Sequence, residues 1–298
     1  MIVVMTGASG FIGRRLLKNF TTAGYAIRVL SRHAGTNLPP GVQLFPWDPM
    51  QGPPPVECLR DADVVVNLAG EPVSQRWTEP AKQRIRESRV TGTRNLVAGM
   101  IAMKQPPGTL ISSSAVGYYG SRGDAVLDES APAGESWLSE VCVAWEKEAQ
   151  LASAAGTRVV TVRTGVVLDP RGGALQQMLP PFRVGVGARL GSGRQWIPWI
   201  HLADLAALFQ FAIETPLKGP LNGSAPNPVT NAEFTRELAD VIHRPGFFVM
   251  PALVLKVLFG EMSEVLLGSL RVVPAAAEGA GFTFRYPQLK AALGNLLG

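Results

Sequence analysis

Short apolar runs alternate with longer amphipathic stretches along the first part of the chain. Predicted β-strands are the apolar runs at 2–6, 26–31, 42–47, 63–70, 108–114 and 157–163. Predicted helices are the stretches with apolar residues at three- and four-residue steps, at 11–22, 79–104 and 136–154. Strands that are almost wholly apolar and are separated by helices typically form a parallel sheet covered on both faces. The pattern therefore predicts an α/β fold of the Rossmann type, a doubly wound parallel sheet.

The pattern changes after about residue 170. Residues 169–199 are rich in Gly and Pro without a long period, which predicts a lid-like loop region. Helices are predicted at 202–214 and at 230–243, the second opened by Thr230 or Asn231, and two or three short helices end the chain. We therefore predict a nucleotide-binding domain over 1–170, with its sheet completed by parts of 199–225. The lid loop and a small, mostly helical substrate cap occupy 171–298 and interleave with it.

Composition and charge limit the classes of protein to which this chain can belong. With 46% hydrophobic and 17% charged residues, the 298-residue chain has the composition of a globular protein. A net charge of +5 without a run of like charges argues against a nucleic-acid partner and suits an anionic small ligand. Cys58 and Cys142 lie far apart, so we expect no disulfide framework, no metal site and a reducing compartment. No leader and no membrane span are recognised, which predicts a cytoplasmic protein; homo-oligomerisation is left open.

A glycine-rich stretch, TGASGFIG at 6–13, follows the first predicted strand and opens the first predicted helix. Gly7, Gly10 and Gly13 have the spacing of a dinucleotide-binding turn. The first permits a tight turn, the second lets the backbone approach a pyrophosphate, and the third allows close helix packing. The free N–H groups of the helix N-terminus would hold the anion. We expect cofactor contacts from these glycines and from Ser9, Phe11 and Ile12 between them.

The end of the second predicted strand indicates which dinucleotide is bound. An NAD-selective site would place Asp or Glu there, about twenty residues after the glycine turn, to bind the ribose 2′-hydroxyl. The chain instead reads Ser31, Arg32 and His33. Arg32, with Ser31 beside it, can bind a 2′-phosphate through charge-assisted hydrogen bonds, which predicts NADP(H) as the cofactor. The alternative is that Arg32 is a solvated surface residue.

Five segments in order carry a family resemblance: TGASGFIG, DVVVNLAG, LISSSAVGYYG, VVTVRTGVVL and WIHLADLA. Over nearly the whole chain they resemble the extended short-chain dehydrogenase/reductase superfamily. Residues 76–89, 191–205 and 266–284 narrow the resemblance to an atypical subgroup, the NAD-dependent epimerase/dehydratase family with a C-terminal domain of unknown function. The resemblance implies cofactor contacts at Leu68, Ala69 and Gly70 on the adenosine side, at Arg89 near the phosphates and at Val167 near the nicotinamide.

The resemblance also exposes a missing catalytic pair. Active members of the superfamily combine a Ser with Tyr-x-x-x-Lys, in which the phenol is the general acid/base. Ser114 matches the Ser, and Glu146 matches the acid that follows the Lys by four residues. Leu138 and Cys142 then stand where the Tyr and the Lys belong. Leu has no ionisable proton and a thiol is not a permanent cation, so neither can replace the usual residue.

Substitutes for the missing pair are Tyr118 and Tyr119, which follow Ser114 at the carboxyl end of a predicted strand. Arg122, four residues after Tyr118, imitates the spacing of the lost cation. The alternative is that these tyrosines pack or contact substrate only. His201 could titrate or could merely cap the helix that begins there, and Glu71 could hold a cofactor hydroxyl or be a loop carboxylate without a role.

Two functions are consistent with these residues. The first is an NADP(H)-dependent oxidoreductase or epimerase that acts on a small carbonyl or sugar-like compound without the Tyr-x-x-x-Lys pair. The second is a non-catalytic NADP(H)-sensing regulatory or scaffold protein, because the cofactor turn is retained while both catalytic groups are replaced.

Overall fold

A computed structural model describes residues 1–32 and 38–298 and contains a seven-stranded sheet at its centre. The strands are, in chain order, β1 Ile2–Thr6, β2 Ala26–Ser31, β3 Gln43–Pro46, β4 Val64–Asn67, β5 Thr109–Ala115, β6 Val126–Leu127, β7 Arg158–Thr164, β8 Val166–Asp169, β9 Ala188–Leu190, β10 Trp196–Ile197, β11 Trp199–His201, β12 Gly219–Gly223, β13 Val229–Thr230, β14 Phe248–Met250 and β15 Arg271–Val272. The order in the central sheet is β3-β2-β1-β4-β5-β7-β12, and every pair is parallel. This confirms the predicted doubly wound parallel sheet.

Helices cover both faces of the sheet. They are α1 Phe11–Thr22, α2 Val56–Leu59, α3 Glu79–Ile101, α4 Trp137–Gln150, α5 Gly173–Arg183, α6 Leu202–Glu214, α7 Asn231–Val241, α8 Ala252–Phe259, α9 Ser263–Leu267, α10 Ala275–Gly279 and α11 Leu289–Leu297. Strand side chains alternate between the faces, so Val3 and Met5 pack with α1 and α6 while Val4 packs with α3 and α4. Burial on both faces explains why the strands read as nearly continuous apolar runs.

The carboxyl ends of the central strands meet at one edge. Thr6 lies opposite Leu30 of β2 and Asn67 of β4, and Asn67 lies opposite Ser112 of β5. In a sheet of this topology a ligand binds outside that edge, where the strand order reverses. The reversal falls between β1 and β4, directly above the glycine-rich stretch.

The predicted lid-like loop at 169–199 is wrong in part, because it contains helix α5 and strands β9 and β10. Pro180 and Pro181 lie inside this helix. An interior proline normally destabilises a helix by about 3 kcal/mol, which is why the sequence indicated a loop. Packing overrides that preference, since Leu175, Leu179 and Phe182 are buried against α7 and α11 in one apolar cluster.

The C-terminal part is built from short helices and paired strands. β9 pairs with β14, β10 with β13 and β6 with β15, outside the central sheet. Of the predicted contribution from 199–225, β12 joins the central sheet, whereas β11 pairs with β8. Helix α7 begins after Thr230, whose side chain and that of Glu233 form a capping box. No helix of the described residues is long and apolar enough to span a bilayer.

Candidate functional site

The glycine turn joins β1 to α1 and is packed on both sides. Gly7 has φ +66°, and a Cβ there would come within 2.8 Å of the backbone of Leu68, beyond β4. A Cβ on Gly13 would overlap the carbonyl oxygen of Gly7. The N–H of Gly10 donates to that same oxygen at 3.0 Å. The turn therefore has room only for glycine at positions 7 and 13, as a close approach of strand, loop and helix requires.

The N-terminus of α1 is open to a ligand. Gly10 is its N-cap residue, no side chain caps it, and its first turn carries no acidic residue. Ser9 and Gly10 are exposed, and Phe11 and Ile12 are half-buried. The Phe11 ring lies against Gly172 and Gly173, at the start of α5, where added Cβ atoms would meet ring carbons. Unsatisfied N–H groups without a competing carboxylate are the arrangement that binds phosphate.

The loop after β4 is fixed to the turn by a hydrogen-bonded threonine. Thr6 Oγ1 donates to Asn67 Oδ1 at 2.7 Å and accepts the N–H groups of Leu68 and Ala69 at 3.0 Å each. Asn67 Nδ2 donates onward to Thr93 Oγ1 of α3 at 2.9 Å. These bonds hold Leu68 and Ala69 beside the glycine turn, where the family resemblance predicts cofactor contacts, and those contacts stay predictions.

Arg89 extends from α3 to the loop after β4. Its Nη1 donates to the carbonyl oxygens of Glu71 at 2.9 Å and Ile85 at 3.1 Å. The guanidinium lies 5.1 Å from the centre of the Trp145 ring, and a Cβ on Gly70 would come within 3.3 Å of its Cζ. Burial lowers the pKa of Arg89 from its ordinary value.

The Glu71 carboxylate contacts other side chains. It accepts from Gln75 Nε2 at 3.1 Å and lies 3.7 Å from Arg84 Nε in a half-exposed pair. The Glu71 backbone carbonyl therefore binds Arg89, while its carboxylate contacts Gln75 in the loop and Arg84 of α3.

Ser31 and Arg32 lie at the carboxyl end of β2, next to the glycine turn. Leu30 is paired with Thr6, so Arg32 stands two residues beyond the level at which β1 ends. Arg32 is exposed, Ser31 is half-buried, and the Ser31 carbonyl accepts the N–H of Trp47 at 2.9 Å. His33, the third residue of the predicted group, lies outside the described residues. The placement is consistent with a 2′-phosphate contact, which stays a prediction.

Ser114, the predicted catalytic serine, is 3% exposed and belongs to a buried charged network. Its hydroxyl donates to Glu146 Oε1 at 2.6 Å. Arg163 of β7, 4% exposed, binds both oxygens of the same carboxylate, Nε to Oε1 and Nη2 to Oε2 at 2.9 Å each. The proton of Ser114 is thus directed at Glu146, and only the lone pairs of the serine oxygen are left for a ligand.

The two candidate tyrosines differ in their exposure to solvent. Tyr119 is fully buried, and its hydroxyl donates to Asn222 Oδ1 at 2.7 Å while accepting from Arg163 Nη1 at 3.0 Å. Burial raises the pKa of Tyr119 to about 12. Tyr118 is half-buried, and its ring centre lies 3.5 Å from Arg163 Cζ. The geometry therefore disfavours the predicted acid/base role for Tyr119 and leaves it open for Tyr118.

The cation beside the tyrosines is Arg163, not Arg122 as the four-residue spacing predicts. Arg122 donates to the backbone oxygens of Tyr119 at 3.0 Å and Ala133 at 2.8 Å, so it holds a loop together. Arg163 was missed by the sequence reasoning. The available signal was one charged residue inside the apolar run VVTVRT, since a charge is buried in a central strand only when it is paired.

The positions of the missing pair are apolar. Leu138 packs with Trp77, Ile85 and Met262, and a Cβ on Gly117 would lie 2.6 Å from its Cδ2. The Cys142 thiol is 1% exposed, and burial raises its pKa to about 12. These contacts agree with the inference that neither residue carries acid/base chemistry.

His201 caps a helix, as the alternative interpretation has it. Its Nδ1 accepts the N–H of Ala203 at 2.9 Å, its ring stacks on Tyr286 at 4.1 Å, and burial lowers its pKa. Val167 is buried on β8 and pairs with Ile200. Its carbonyl oxygen would lie 3.3 Å from a Cβ on Gly173, so it lies close to the segment that contacts Phe11.

Comparisons with known proteins agree with this architecture. Residues 3–224 match the model of the NAD dependent epimerase/dehydratase family, and residues 250–296 match a domain of unknown function, DUF1731. The epimerase family protein Mb2239 of Mycobacterium bovis is 43% identical over 98% of this chain and 96% of its own length. The human epimerase family protein SDR39U1 is 35% identical over the full length of both chains.

Solved structures show the same fold. The crystal structure of human SDR39U1 with NADPH superposes with a TM-score of 0.87 at 34% identity, covering 100% of this chain and 99% of that one. UDP-glucuronic acid 4-epimerase from Bacillus cereus, solved with UDP-glucuronic acid and NAD, has a TM-score of 0.78 at 17% identity, covering 100% of this chain and 98% of its own. The second likeness concerns the fold alone.

Proposed function

Because the chain belongs to the NAD-dependent epimerase/dehydratase family, we propose that it binds NADP(H) at the carboxyl edge of its central sheet. The observation that carries this proposal is the turn in which neither Gly7 nor Gly13 has room for a Cβ, followed by a helix N-terminus without a capping side chain or an acid. Such a turn fits a dinucleotide pyrophosphate. The NADPH in the crystal structure of human SDR39U1 supports the same ligand here.

Selectivity for the phosphorylated cofactor is proposed to come from Arg32 with Ser31. Titration calorimetry with NADPH and NADH tests this, and NADPH should bind more tightly. Arg32→Ala should weaken NADPH binding by about ten- to a hundredfold, the loss of charge-assisted hydrogen bonds, and leave NADH nearly unchanged. Arg86→Ala removes an exposed arginine of α3 and is the control. Equal affinities of the wild type for the two cofactors would remove Arg32 from this role.

The reaction we propose is hydride transfer, in an oxidoreductase or an epimerase, with a small carbonyl or sugar-like substrate. The nicotinamide, when bound, supplies or accepts the hydride. Tyr118 is the proposed proton donor, because it combines a phenol with partial exposure at the edge of the sheet. Arg163 stacks on the ring and fixes its orientation, and Ser114, bound to the same Glu146 carboxylate as Arg163, offers oxygen lone pairs.

The proton donor can be tested with NADPH carrying deuterium at C4 and a panel of carbonyl compounds. We expect the wild type to transfer the label to a product. In Tyr118→Phe the rate of this transfer should fall by a factor of about 100 or more. Tyr25→Phe changes a tyrosine at the far end of α1, where its hydroxyl bonds Glu214, and is the matched control. Equal rates for the three proteins would exclude Tyr118 as the proton donor.

A non-catalytic NADP(H) sensor is the second candidate, and two contacts favour it. Met262 of the C-terminal part packs on Trp77, in the loop after β4, and Glu261 forms an ion pair with Lys82 of α3. A change at the cofactor edge would reach residues 250–296 through this loop. Hydrogen exchange in those residues should then differ between the NADPH-bound and NADP⁺-bound protein, because a ligand shifts an equilibrium only by its differential affinity. Identical exchange would exclude the sensor.

A further inference from the structure

Exposed apolar side chains are concentrated in one part of the described structure. More than half of the large ones lie in the short segments 184–186, 247–249 and 253–259. Phe247 is 74% exposed and Leu253 is 73% exposed. Single exposed apolar residues are ordinary, whereas a contiguous group of them marks a surface that binds a partner.

Backbone contacts join these segments into one surface. Strand β14 pairs with β9, and Phe248 lies opposite Ala188. Arg244 Nε donates to the carbonyl oxygen of Arg183 at 3.1 Å, which links the residues just before the first two apolar segments. A single residue separates the end of β14 from the start of α8. The name β14–α8 surface is used below for residues 183–186, 243–249 and 253–259.

Helix α8 has no polar face. Its sequence is ALVLKVLF, in which Lys256 is the one polar residue. Leu255 is buried, whereas the other large apolar side chains of the helix are exposed: Leu253, Val254, Val257, Leu258 and Phe259. A helix that is apolar on all sides is normally enclosed by protein or by lipid. Nothing in the described residues encloses this one, so we expect a partner to cover its exposed side.

The charges on the β14–α8 surface are all positive. Residues 170–203 and 241–260 contain no Asp or Glu, whereas Arg183, Arg244 and Lys256 are exposed. Within the described ranges, none of these three side chains pairs with a carboxylate. The next acid along the chain, Glu261, is paired with Lys82 of α3. Two copies of this surface would bring like charges together, which disfavours a second copy of the chain as the partner and favours an anionic one.

We propose that the β14–α8 surface docks on a bilayer that contains anionic lipids, with its apolar side chains among the acyl chains and its basic groups at the headgroups. Large apolar side chains next to Lys and Arg are typical of segments that lie in a membrane interface. On α8, Lys256 lies three residues after Leu253 and directly before Val257, so the three side chains share one side of the helix. With eight residues, α8 would lie on the bilayer and not cross it.

The polar groups of this surface fit a lipid better than a protein partner. Between residues 243 and 259 the polar side chains are His243, Arg244 and Lys256 alone. A protein interface normally contains about one hydrogen bond per 100–200 Å², many of them between uncharged polar groups, and this stretch offers few side chains for such bonds. Lipid headgroups need only the positive charge.

Vesicle flotation with the full chain tests this. The wild type should bind vesicles of phosphatidylcholine mixed with phosphatidylglycerol, and bind phosphatidylcholine vesicles at least about tenfold more weakly. Leu253→Gln with Val257→Gln should weaken binding to the mixed vesicles by at least about tenfold, because it removes apolar side chains from the interface. Arg183→Glu with Lys256→Glu should weaken it by a similar factor through the charge. Because all four side chains are exposed, both variants should keep the wild-type Tm.

Matched controls change the same kinds of residue elsewhere in the chain. Val143→Gln with Leu151→Gln replaces exposed apolar residues of α4 and of the turn that follows it. Arg86→Glu with Lys104→Glu changes the net charge by the same amount, in α3 and just after it. Both controls should bind the mixed vesicles within about threefold of the wild type, because exposed charges far from the docking surface are screened by salt.

Several results would overturn the proposal. A wild type that stays monomeric and binds neither kind of vesicle refutes the bilayer and leaves a protein as the partner. Equal binding to both kinds of vesicle, or surface variants that bind as tightly as the wild type, refutes the part assigned to the anionic lipid or to these residues. Sedimentation without lipid gives a further check: a wild-type dimer that Leu253→Gln with Val257→Gln converts to monomers would assign the surface to a second copy of the chain.

Discussion

Replacing Glu146 by Ala would remove the carboxylate on which three side-chain hydrogen bonds converge. Ser114 donates to it at 2.6 Å, and Arg163 binds it through two bonds of 2.9 Å. Arg163 itself is 4% exposed, so the variant would leave a guanidinium buried in the central sheet without its counterion. The remaining hydrogen-bond partners of Arg163, the Tyr119 hydroxyl and the backbone carbonyl of Glu129, carry no charge.

The expected loss in free energy of unfolding follows from the burial of Arg163. Breaking a buried ion pair by deleting one partner destabilises proteins by about 3–5 kcal/mol, and the 15% exposure of the Glu146 side chain favours the lower end. An unfolding entropy of about 2.1 cal/mol/K per residue over 298 residues gives roughly 0.6 kcal/mol/K. A loss of about 3 kcal/mol should therefore lower Tm by roughly 5 °C.

Urea denaturation and thermal unfolding, each followed by tryptophan fluorescence, measure the effect. Glu140→Ala changes an exposed glutamate on the same helix and should cost no more than about 1 kcal/mol. The double variant Glu146→Leu with Arg163→Met removes both charges and should recover much of the stability, because apolar groups of similar volume can replace a buried pair. A loss below about 1 kcal/mol in Glu146→Ala, or a double variant less stable than Glu146→Ala, would refute the reasoning.

Three further predictions concern the turn, the thiols and a helix cap. Gly13→Ala should cost about 1–3 kcal/mol and abolish NADPH binding, because its Cβ would enter the turn; an unchanged Tm and Kd would contradict this. Cys58 and Cys142 are buried with pKa values raised to about 12, so Ellman's reagent at pH 8 should label neither in the folded protein and both in denaturant; rapid labelling of the folded protein would be inconsistent. Thr230→Ala should cost about 1 kcal/mol at neutral pH. Hydrogen bonds from Thr230 lower the pKa of Glu233, so the stability from this pair is present above the unfolded carboxyl's pKa and is lost as pH falls through the folded value; a difference between wild type and variant that stays constant down to pH 2 would disagree.

The central sheet could be predicted because its signal is local. Runs such as IVVMT are apolar on both faces, and the structure places β1 at Ile2–Thr6 as predicted. Prediction fails where contacts between segments far apart in the sequence determine the secondary structure. Helix α5 forms in spite of Pro180 and Pro181 because its apolar face packs on α7 and α11, which come much later in the chain. The pairing of β9 with β14 likewise joins segments that no local pattern relates.

The candidate site likewise has one part that a local sequence pattern predicts and another that depends on distant contacts. The glycine spacing is a local pattern, and the structure gives Gly7 and Gly13 the close contacts that such spacing requires. The cation beside the tyrosines was predicted from sequence spacing alone, which indicated Arg122 instead of Arg163. A cation four residues away in sequence need not face the same ring outside a regular helix, and the chain turns at Gly120 with φ +62°. Arg163 reaches the ring from another strand, which one sequence cannot reveal.

Two arginines at this edge, Arg163 and Arg89, differ in their hydrogen-bond partners. Arg163 shares its charge with Glu146, so its field at a ligand is largely cancelled and its role is to hold Ser114, Tyr118 and Tyr119 in place. Arg89 forms no ion pair within the described residues and donates instead to the backbone carbonyls of Glu71 and Ile85. The positions on α4 where superfamily members carry their Tyr and Lys hold Leu138 and Cys142, and the proposed proton donor, Tyr118, lies in the loop after β5. The proposed function therefore moves proton donation from α4 to that loop.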